Sequence, residues 1–178
     1  MKVRDALKRA TRDVHDRLDA SLSGYRLNDR DDYRKFLTAQ AAAFLPVERA
    51  LTVAGAAKLI ADWAETLRSP LLAADLAALG IGSIPEVASP AYNDEASLLG
   101  GLYVLEGSRM GAVVLAREVP ADFPRQFLAV RPPPGHWSAL IATLERKLYS
   151  SVELKIAKGA AQRTFACFEQ AAGIYRTS

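Results

Sequence analysis

The segment GGLYVLEGSRMGAVVLAR, residues 100–117, has the apolar content of a buried helix but carries four glycines: Gly100, Gly101, Gly107 and Gly111. Each glycine inside a helix costs about 1 kcal/mol relative to alanine. Gly107 and Gly111 are four residues apart, so they share one helical face and leave its backbone open. The pattern has two interpretations: another helix in close contact, or a flat apolar ligand laid almost on the backbone.

The composition is that of a globular protein. The chain has 178 residues, of which 50% are hydrophobic and 24% charged, and a single domain spanning 1–178 is the simplest arrangement. Its net charge of +3 suits small anionic ligands and is too weak to indicate nucleic acid. Cys167, the one cysteine, excludes an intramolecular disulfide. No signal-peptide core or membrane-spanning run is found, so we expect a cytoplasmic protein that does not enter a membrane.

Apolar residues spaced by three and four predict an all-α bundle of roughly seven or eight helices. A first helix has its apolar stripe from Val3 to Leu18. Asn28 or Asp29 is predicted to cap the second helix, and Pro46 to kink or end it. Further helices are predicted over 56–68, over 70–79, after Asn93 or Asp94, over 136–149 and over 157–175.

His15 lies beside the apolar stripe of the first helix, with Thr11 four residues before it and Asp19 four residues after it. Both are therefore its neighbours on the helix surface. A carboxylate at Asp19 can hold one imidazole nitrogen and leave the other for a metal ion. Lys8 and Arg12, on the preceding turns, are placed to meet anionic groups. The alternative is a histidine at the edge of the core on a solvated face.

Taken together, a histidine able to bind a metal and a helix with an open backbone describe a porphyrin held between them. At this point the sequence resembles the heme oxygenase family, in particular its short bacterial members. LKRATRDVHDRLD (7–19) is similar to the family's proximal helix, LYVLEGSRMGAVVL (102–115) to its distal helix, and QRTFACFEQ (162–170) to its closing helix. The resemblance implies a single heme-oxygenase-like helical domain.

The resemblance implies an enzyme for which heme b is both substrate and cofactor and molecular oxygen is the co-substrate. The heme is cleaved at a meso carbon to biliverdin, carbon monoxide and ferrous iron. An external electron donor is implied, either a ferredoxin or a flavoprotein reductase. Because many short bacterial members accompany bacteriophytochromes, a bacteriophytochrome apoprotein is a possible acceptor of the biliverdin.

The resemblance also assigns roles on the first helix. His15 matches the family's ligand to the heme iron, and Asp19 the acidic residue that orients the imidazole. Lys8 and Arg12 match positions that face the heme propionates, and Thr11 belongs to the same cofactor-binding face.

On the later helix, Gly107 and Gly111 match the glycines that contact heme from the opposite side, with Ser108, Tyr103 and Ala112 beside them in the pocket. The chain departs from the family pattern here. Many members have two adjacent glycines where this chain has Gly111 and Ala112, and others carry an aspartate near the position of Ser108. Backbone groups and Ser108 would take the part of that aspartate.

Other functions remain open at the level of sequence. A heme carrier or sensor that does not degrade heme would use the same residues. Thiamine-degrading relatives share the fold but need a nucleophilic cysteine, whereas Cys167 lies among Phe165 and Phe168 and is expected to be buried and inert. A helical interaction module would use the small-residue face to dock another helix. His136, at the start of a helix, is expected to be exposed or to act as a cap.

Overall fold

The structure, a computed structural model, describes residues 2–176, and within that range it is all-helical with no strand. The predicted all-α fold is thereby confirmed. The seven α-helices of this range are α1 (Val3–Leu22), α2 (Arg30–Val53), α3 (Ser69–Ala78), α4 (Glu95–Leu115), α5 (Gln126–Ala129), α6 (His136–Lys147) and α7 (Ser151–Arg176).

The bundle is organised around α7, which packs along α1, α2 and α4. Small buried side chains on α7, among them Ala157, Ala160 and Ala161, allow its neighbours to approach closely. On α2 the consecutive residues Ala41, Ala42 and Ala43 are fully buried in the same way. These tight contacts fill one end of the bundle, and a groove lies between α1 and α4 at the other end.

Helix α2 begins as expected but continues past its proline. The carboxylate of Asp29 caps it by accepting hydrogen bonds from the amides of Asp31 and Asp32. The expectation that Pro46 kinks or ends the helix was wrong in its stronger form, because α2 runs on to Val53. A proline leaves the carbonyl four residues earlier without its helical donor. Here that carbonyl, on Ala42, accepts a hydrogen bond from the amide of Val87, at 2.9 Å.

The prediction of a helix over 56–68 was wrong. Two short 3₁₀ turns stand in its place, Ala56–Lys58 and Ala64–Thr66. The chain enters the first turn through Gly55, whose φ of 100° is left-handed and cannot continue a helix. The apolar spacing that suggested a helix serves burial instead, since the indole of Trp63 is buried and donates to the hydroxyl of Thr52.

Helix α4 begins with a capping box. The carboxylate of Asp94 accepts from the amide of Ser97, and the hydroxyl of Ser97 accepts from the amide of Asp94. By length and composition α4 is apolar enough to cross a membrane, but 56% of that apolar window is buried inside the bundle. Its hydrophobicity is therefore accounted for in large part by packing against α7 and α2.

Candidate functional site

The groove between α1 and α4 has a volume of about 530 Å³, and its remaining walls come from α2, α5, α6 and α7. We call it the α1–α4 groove. It brings together all ten residues predicted from the sequence: Lys8, Thr11, Arg12, His15, Asp19, Tyr103, Gly107, Ser108, Gly111 and Ala112. Two segments nearly one hundred residues apart in sequence thus face each other across one space.

His15 is oriented by a carboxylate one helical turn away. Its Nδ1 lies 3.2 Å from Oδ2 of Asp19 and 3.9 Å from Oδ1 of Asp16. The ring packs edge-on against Phe165 of α7, with the centroids 5.5 Å apart. Among the described residues no hydrogen bond involves Nε2 of His15. With Nδ1 turned to Asp19, Nε2 is the nitrogen available to a metal ion in the groove.

The α1 wall of the groove carries positive charge at its rim. Lys8 and Arg12 are exposed and line the groove, as does Arg4, which sequence reasoning missed. The signal for Arg4 was present, because Arg4, Lys8 and Arg12 are spaced by four and share a helical face. Thr11 is buried between them, and its hydroxyl donates to the carbonyl of Leu7.

The backbone of α4 is open to the groove at two of its glycines. A Cβ built on Gly111 meets no atom of the described residues within 4 Å, so none of the helices in that range covers this position. A Cβ on Gly107 would touch only the ring of Trp137, at 3.4 Å. At these positions α4 can be approached by a ligand to within contact of its main chain.

The other two glycines of the segment serve packing. A Cβ on Gly100 would collide with the carbonyl oxygen of Ala157 in α7, and one on Gly101 would collide with the ring of Tyr92. Leu51 of α2 also lies too close to Gly101 to admit a side chain. The packing interpretation of the glycine-rich helix therefore holds for the first half of α4, and the second half has the open backbone that the ligand interpretation requires.

Ser108 is held by a buried arginine, Arg68, that was not singled out from the sequence. Its hydroxyl donates to the carbonyl of Leu105, at 2.6 Å, and accepts from Nη2 of Arg68, at 2.8 Å. Nη2 of Arg68 also donates to the carbonyl of Leu105, at 2.7 Å. Arg68 is 1% exposed, lines the groove, and immediately precedes α3. The single proton of Ser108 is thus directed to the helix in this arrangement.

An aromatic pair closes the groove at one end. The rings of Tyr103 and Trp137 are 5.8 Å apart and lie beside Gly107. The pKa of Tyr103 is raised, mainly by burial of its side chain, so the phenol is neutral at physiological pH. Trp137 stands at the start of α6 and was not singled out from the sequence.

His136 is neither exposed nor a cap, so that expectation was wrong. It is 8% exposed, and its Nε2 lies 2.7 Å from Oε2 of Glu106, a buried carboxylate of α4 that also pairs with Arg109. Its Nδ1 lies 3.4 Å from Oδ1 of Asp62. These contacts fix the beginning of α6 against α4 and so place Trp137, the next residue, over Gly107.

Part of the groove wall is apolar, with aromatic and aliphatic side chains that were not singled out from the sequence as site residues. They are Phe36 of α2, Phe127 and Leu128 of α5, and Phe165 and Phe168 of α7. No local pattern separates such residues from ordinary core residues, because their exposure to the groove depends on how distant helices meet.

These features suit heme. The volume falls within the range of about 300–1,000 Å³ for small-ligand and cofactor sites. The walls are apolar, the imidazole of His15 has a nitrogen without a partner among the described residues, and the backbone at Gly111 stands clear of other atoms. The rim carries basic side chains that match the anionic propionates.

Comparisons with known proteins point in the same direction. No family model matches the chain. A heme oxygenase of Xanthomonas campestris pv. campestris (strain 8004) is 34% identical over 131 residues, which cover 65% of this chain and 79% of that relative. The solved structure of a heme oxygenase from Neisseria meningitidis, described in its NO- and CO-bound forms, superposes with a TM-score of 0.81. That alignment covers 98% of this chain and 92% of the other at 23% identity, which supports the shared fold.

Proposed function

The chain belongs to the heme oxygenase family, and from that premise we propose that the α1–α4 groove is where its heme is held and cleaved. It is an enzyme that cleaves heme oxidatively at a meso carbon, giving biliverdin, carbon monoxide and ferrous iron. When bound, heme supplies both the iron centre that reacts with dioxygen and the porphyrin carbon that is oxidised. One observation carries the assignment of the site: His15 and the open backbone of Gly111 line the same groove.

On the α1 side, Nε2 of His15 would bind the iron, and Asp19, 3.2 Å from Nδ1, would hold the ring in the orientation this requires. Lys8 and Arg12, exposed at the rim of the groove, would bind the propionates. As a ligand to the iron, the neutral imidazole of His15 would donate less electron density than a thiolate.

On the α4 side, Gly107 and Gly111 leave room for dioxygen and ordered water next to the main chain. A bulky side chain at either position would fill that space. Tyr103 and Ala112 complete this wall, and Ser108 supplies a hydroxyl group that can bind water in the groove.

The reaction requires electrons and an outlet for its product. We expect an external donor, a ferredoxin or a flavoprotein reductase, and a bacteriophytochrome apoprotein as a candidate acceptor of biliverdin. A cytoplasmic location is part of the same proposal, and the single cysteine, which cannot form an intramolecular disulfide, is in keeping with it.

Three competing functions can be compared with the structure. Cys167 is 4% exposed and lies outside the groove, and burial raises the pKa of its thiol to about 11, which disfavours thiamine-degrading chemistry through a thiolate. Within residues 2–176 no helix of this chain covers Gly111, so the close helix contact of the packing interpretation is not made there by the chain itself. No observation favours a heme carrier or sensor over the enzyme.

A hemin titration followed by addition of reductant in air tests the proposal. We expect a Soret band that saturates at one heme per chain and then decays while biliverdin absorption grows. A reaction without reductant is the control and should leave the Soret band in place. A stable Soret band under reductant and oxygen would identify a carrier or sensor, and failure to bind hemin would overturn the assignment of the groove.

A further inference from the structure

A buried cation without an ionic partner lies beneath the α4 side of the groove. Arg68 is 1% exposed, and its guanidinium forms no ion pair with any carboxylate that the structure describes. Nε of Arg68 is buried and has no hydrogen-bond partner within residues 2–176. A buried group left in this state is rare in folded proteins and calls for a functional explanation.

The neighbouring acids are engaged elsewhere. The carboxylate of Glu48 accepts hydrogen bonds from the backbone amides of Arg68 and Ser69, at 2.9 Å each. Glu106 is paired with Arg109 and His136. The charge of Arg68 is therefore partly balanced at a distance and is not neutralised by a direct contact.

Aromatic rings provide part of the compensation. The guanidinium lies over the rings of Phe44, at 4.6 Å from the centroid, and Phe127, at 5.3 Å. Such contacts stabilise a cation without removing its charge. Burial, followed by the nearby charge of Arg109, lowers the pKa of Arg68 to about 9, which leaves it protonated at neutral pH.

The hydrogen bonds of Arg68 also determine what Ser108 can do. The carbonyl of Leu105 accepts from both Ser108 and Arg68. If the hydroxyl of Ser108 turns toward an acceptor in the groove, Arg68 still satisfies that carbonyl. The same carbonyl lies inside α4 and also accepts the helical hydrogen bond from the amide four residues later. The hydroxyl proton of Ser108 can therefore turn to a ligand with no acceptor left unsatisfied, while Arg68 continues to donate to its oxygen.

We propose that Arg68, a positioning and charge-bearing residue, makes the α4 side of the groove selective for anionic ligands of the iron. Small anions such as azide and hydroxide are stabilised by the buried positive charge and by the proton of Ser108. Neutral ligands of the same site gain less from the charge, because a charge interacts more weakly with a dipole than with another charge. This inference rests on the proposed function, since it requires heme in the groove.

The experiment compares an anionic with a neutral ligand on the ferric heme complex. Azide and imidazole affinities are measured for the parent protein and for Arg68→Met, which has similar length and no charge. We expect azide affinity to fall by about tenfold and imidazole affinity to stay within about twofold. The pH at which bound water gives way to hydroxide should rise in the same variant, because hydroxide is also an anion.

Two further variants separate charge from shape. Arg68→Lys keeps the charge, and we expect it to retain the azide affinity of the parent within about threefold. Arg68→Gln removes the charge but keeps an amide donor near Leu105, and it replaces Arg68→Met should that variant not fold. Ser108→Ala should weaken azide by about threefold, less than Arg68→Met, because it removes one hydrogen bond and leaves the charge.

The outcomes distinguish the inference from the function on which it rests. Unchanged azide affinity in the uncharged variants would overturn the inference, and so would an equal fall for azide and imidazole, which would make Arg68 a determinant of shape alone. Either result, obtained on protein that binds heme with a normal Soret band, leaves the proposed function standing. Loss of heme binding in the parent protein would instead refute the proposed function.

Discussion

The two halves of α4 use the same residue type for opposite purposes. In the first half, Gly100 and Gly101 are buried where α7, α2 and the ring of Tyr92 press on the backbone. In the second half, Gly107 and Gly111 face the α1–α4 groove, and Gly111 has open space above it. A missing side chain permits close approach in both cases. In one half the protein itself makes that approach, whereas the other is left clear for a ligand.

Adding one methyl group to each half of α4 tests this difference between packed and open backbone. Gly100→Ala places a Cβ against the backbone of Ala157, which cannot move without shifting α7, and we expect it to lower the free energy of unfolding by about 3 kcal/mol. Gly111→Ala meets nothing within 4 Å and should raise it by about 0.5–1 kcal/mol through helix propensity. Urea denaturation of the heme-free protein measures both values.

We expect the free energy of unfolding to change in opposite directions in Gly100→Ala and Gly111→Ala, because only Gly100 is packed against another helix. Equal losses of stability in the two variants would show that the space over Gly111 is filled in solution and that both halves of α4 serve packing.

A larger side chain at Gly111 tests function. Gly111→Leu occupies the space next to the main chain, and we expect biliverdin formation to fall by at least about 30-fold while the protein remains folded. Val114→Leu is the matched control, since Val114 is 54% exposed on the same helix and lies outside the groove. Normal turnover in Gly111→Leu would contradict the assignment of this half of α4 to the ligand.

The thiol of Cys167 reports on the packed half. It is buried on α7, and burial raises its pKa to about 11, so alkylation at pH 8 requires opening of the structure. We expect Gly100→Ala to speed alkylation by at least about tenfold, because it weakens the α4–α7 contact. Gly111→Ala should leave the rate as it is, and acceleration in both variants would show that the two halves are not independent.

A smaller effect is expected at the partner of His15. Asp19→Asn removes the charge 3.2 Å from Nδ1, and we expect heme affinity to fall by about three- to tenfold, a modest change because both side chains are exposed. Resonance Raman spectroscopy of the ferrous complex should show a weaker iron–histidine bond. Asp16→Asn, at 3.9 Å from the same nitrogen, is the matched control and should have less effect.

Local spacing was sufficient to predict much of the fold and of the site. The i, i+4 relation of His15 and Asp19, and that of Gly107 and Gly111, depend on helix geometry alone. The caps at Asp29 and Asp94 follow from short-range hydrogen bonding. Such features depend only on residues close together in the sequence, so they can be predicted before the packing is known. The roles proposed for these residues await the experiments above.

Features that depend on contacts between distant residues were not predicted from the sequence. Arg68 donates a hydrogen bond to Ser108, forty residues later in the sequence, and no local pattern around Arg68 predicts that contact. Pro46 stays within α2 because Val87, from a loop far along the chain, satisfies the carbonyl that the proline leaves open. His136 is buried by Glu106 of α4, which its own surroundings in sequence do not suggest. In each case tertiary packing overrides the local tendency.

The most direct test of heme bound between α1 and α4 is the absorption and resonance Raman spectrum of the ferric heme complex of His15→Ala. We predict that the signature of histidine ligation is lost in this variant and returns when imidazole is added, because the free ligand can enter the space vacated at Nε2. An unchanged spectrum, with biliverdin formed at the parental rate, would contradict the central claim.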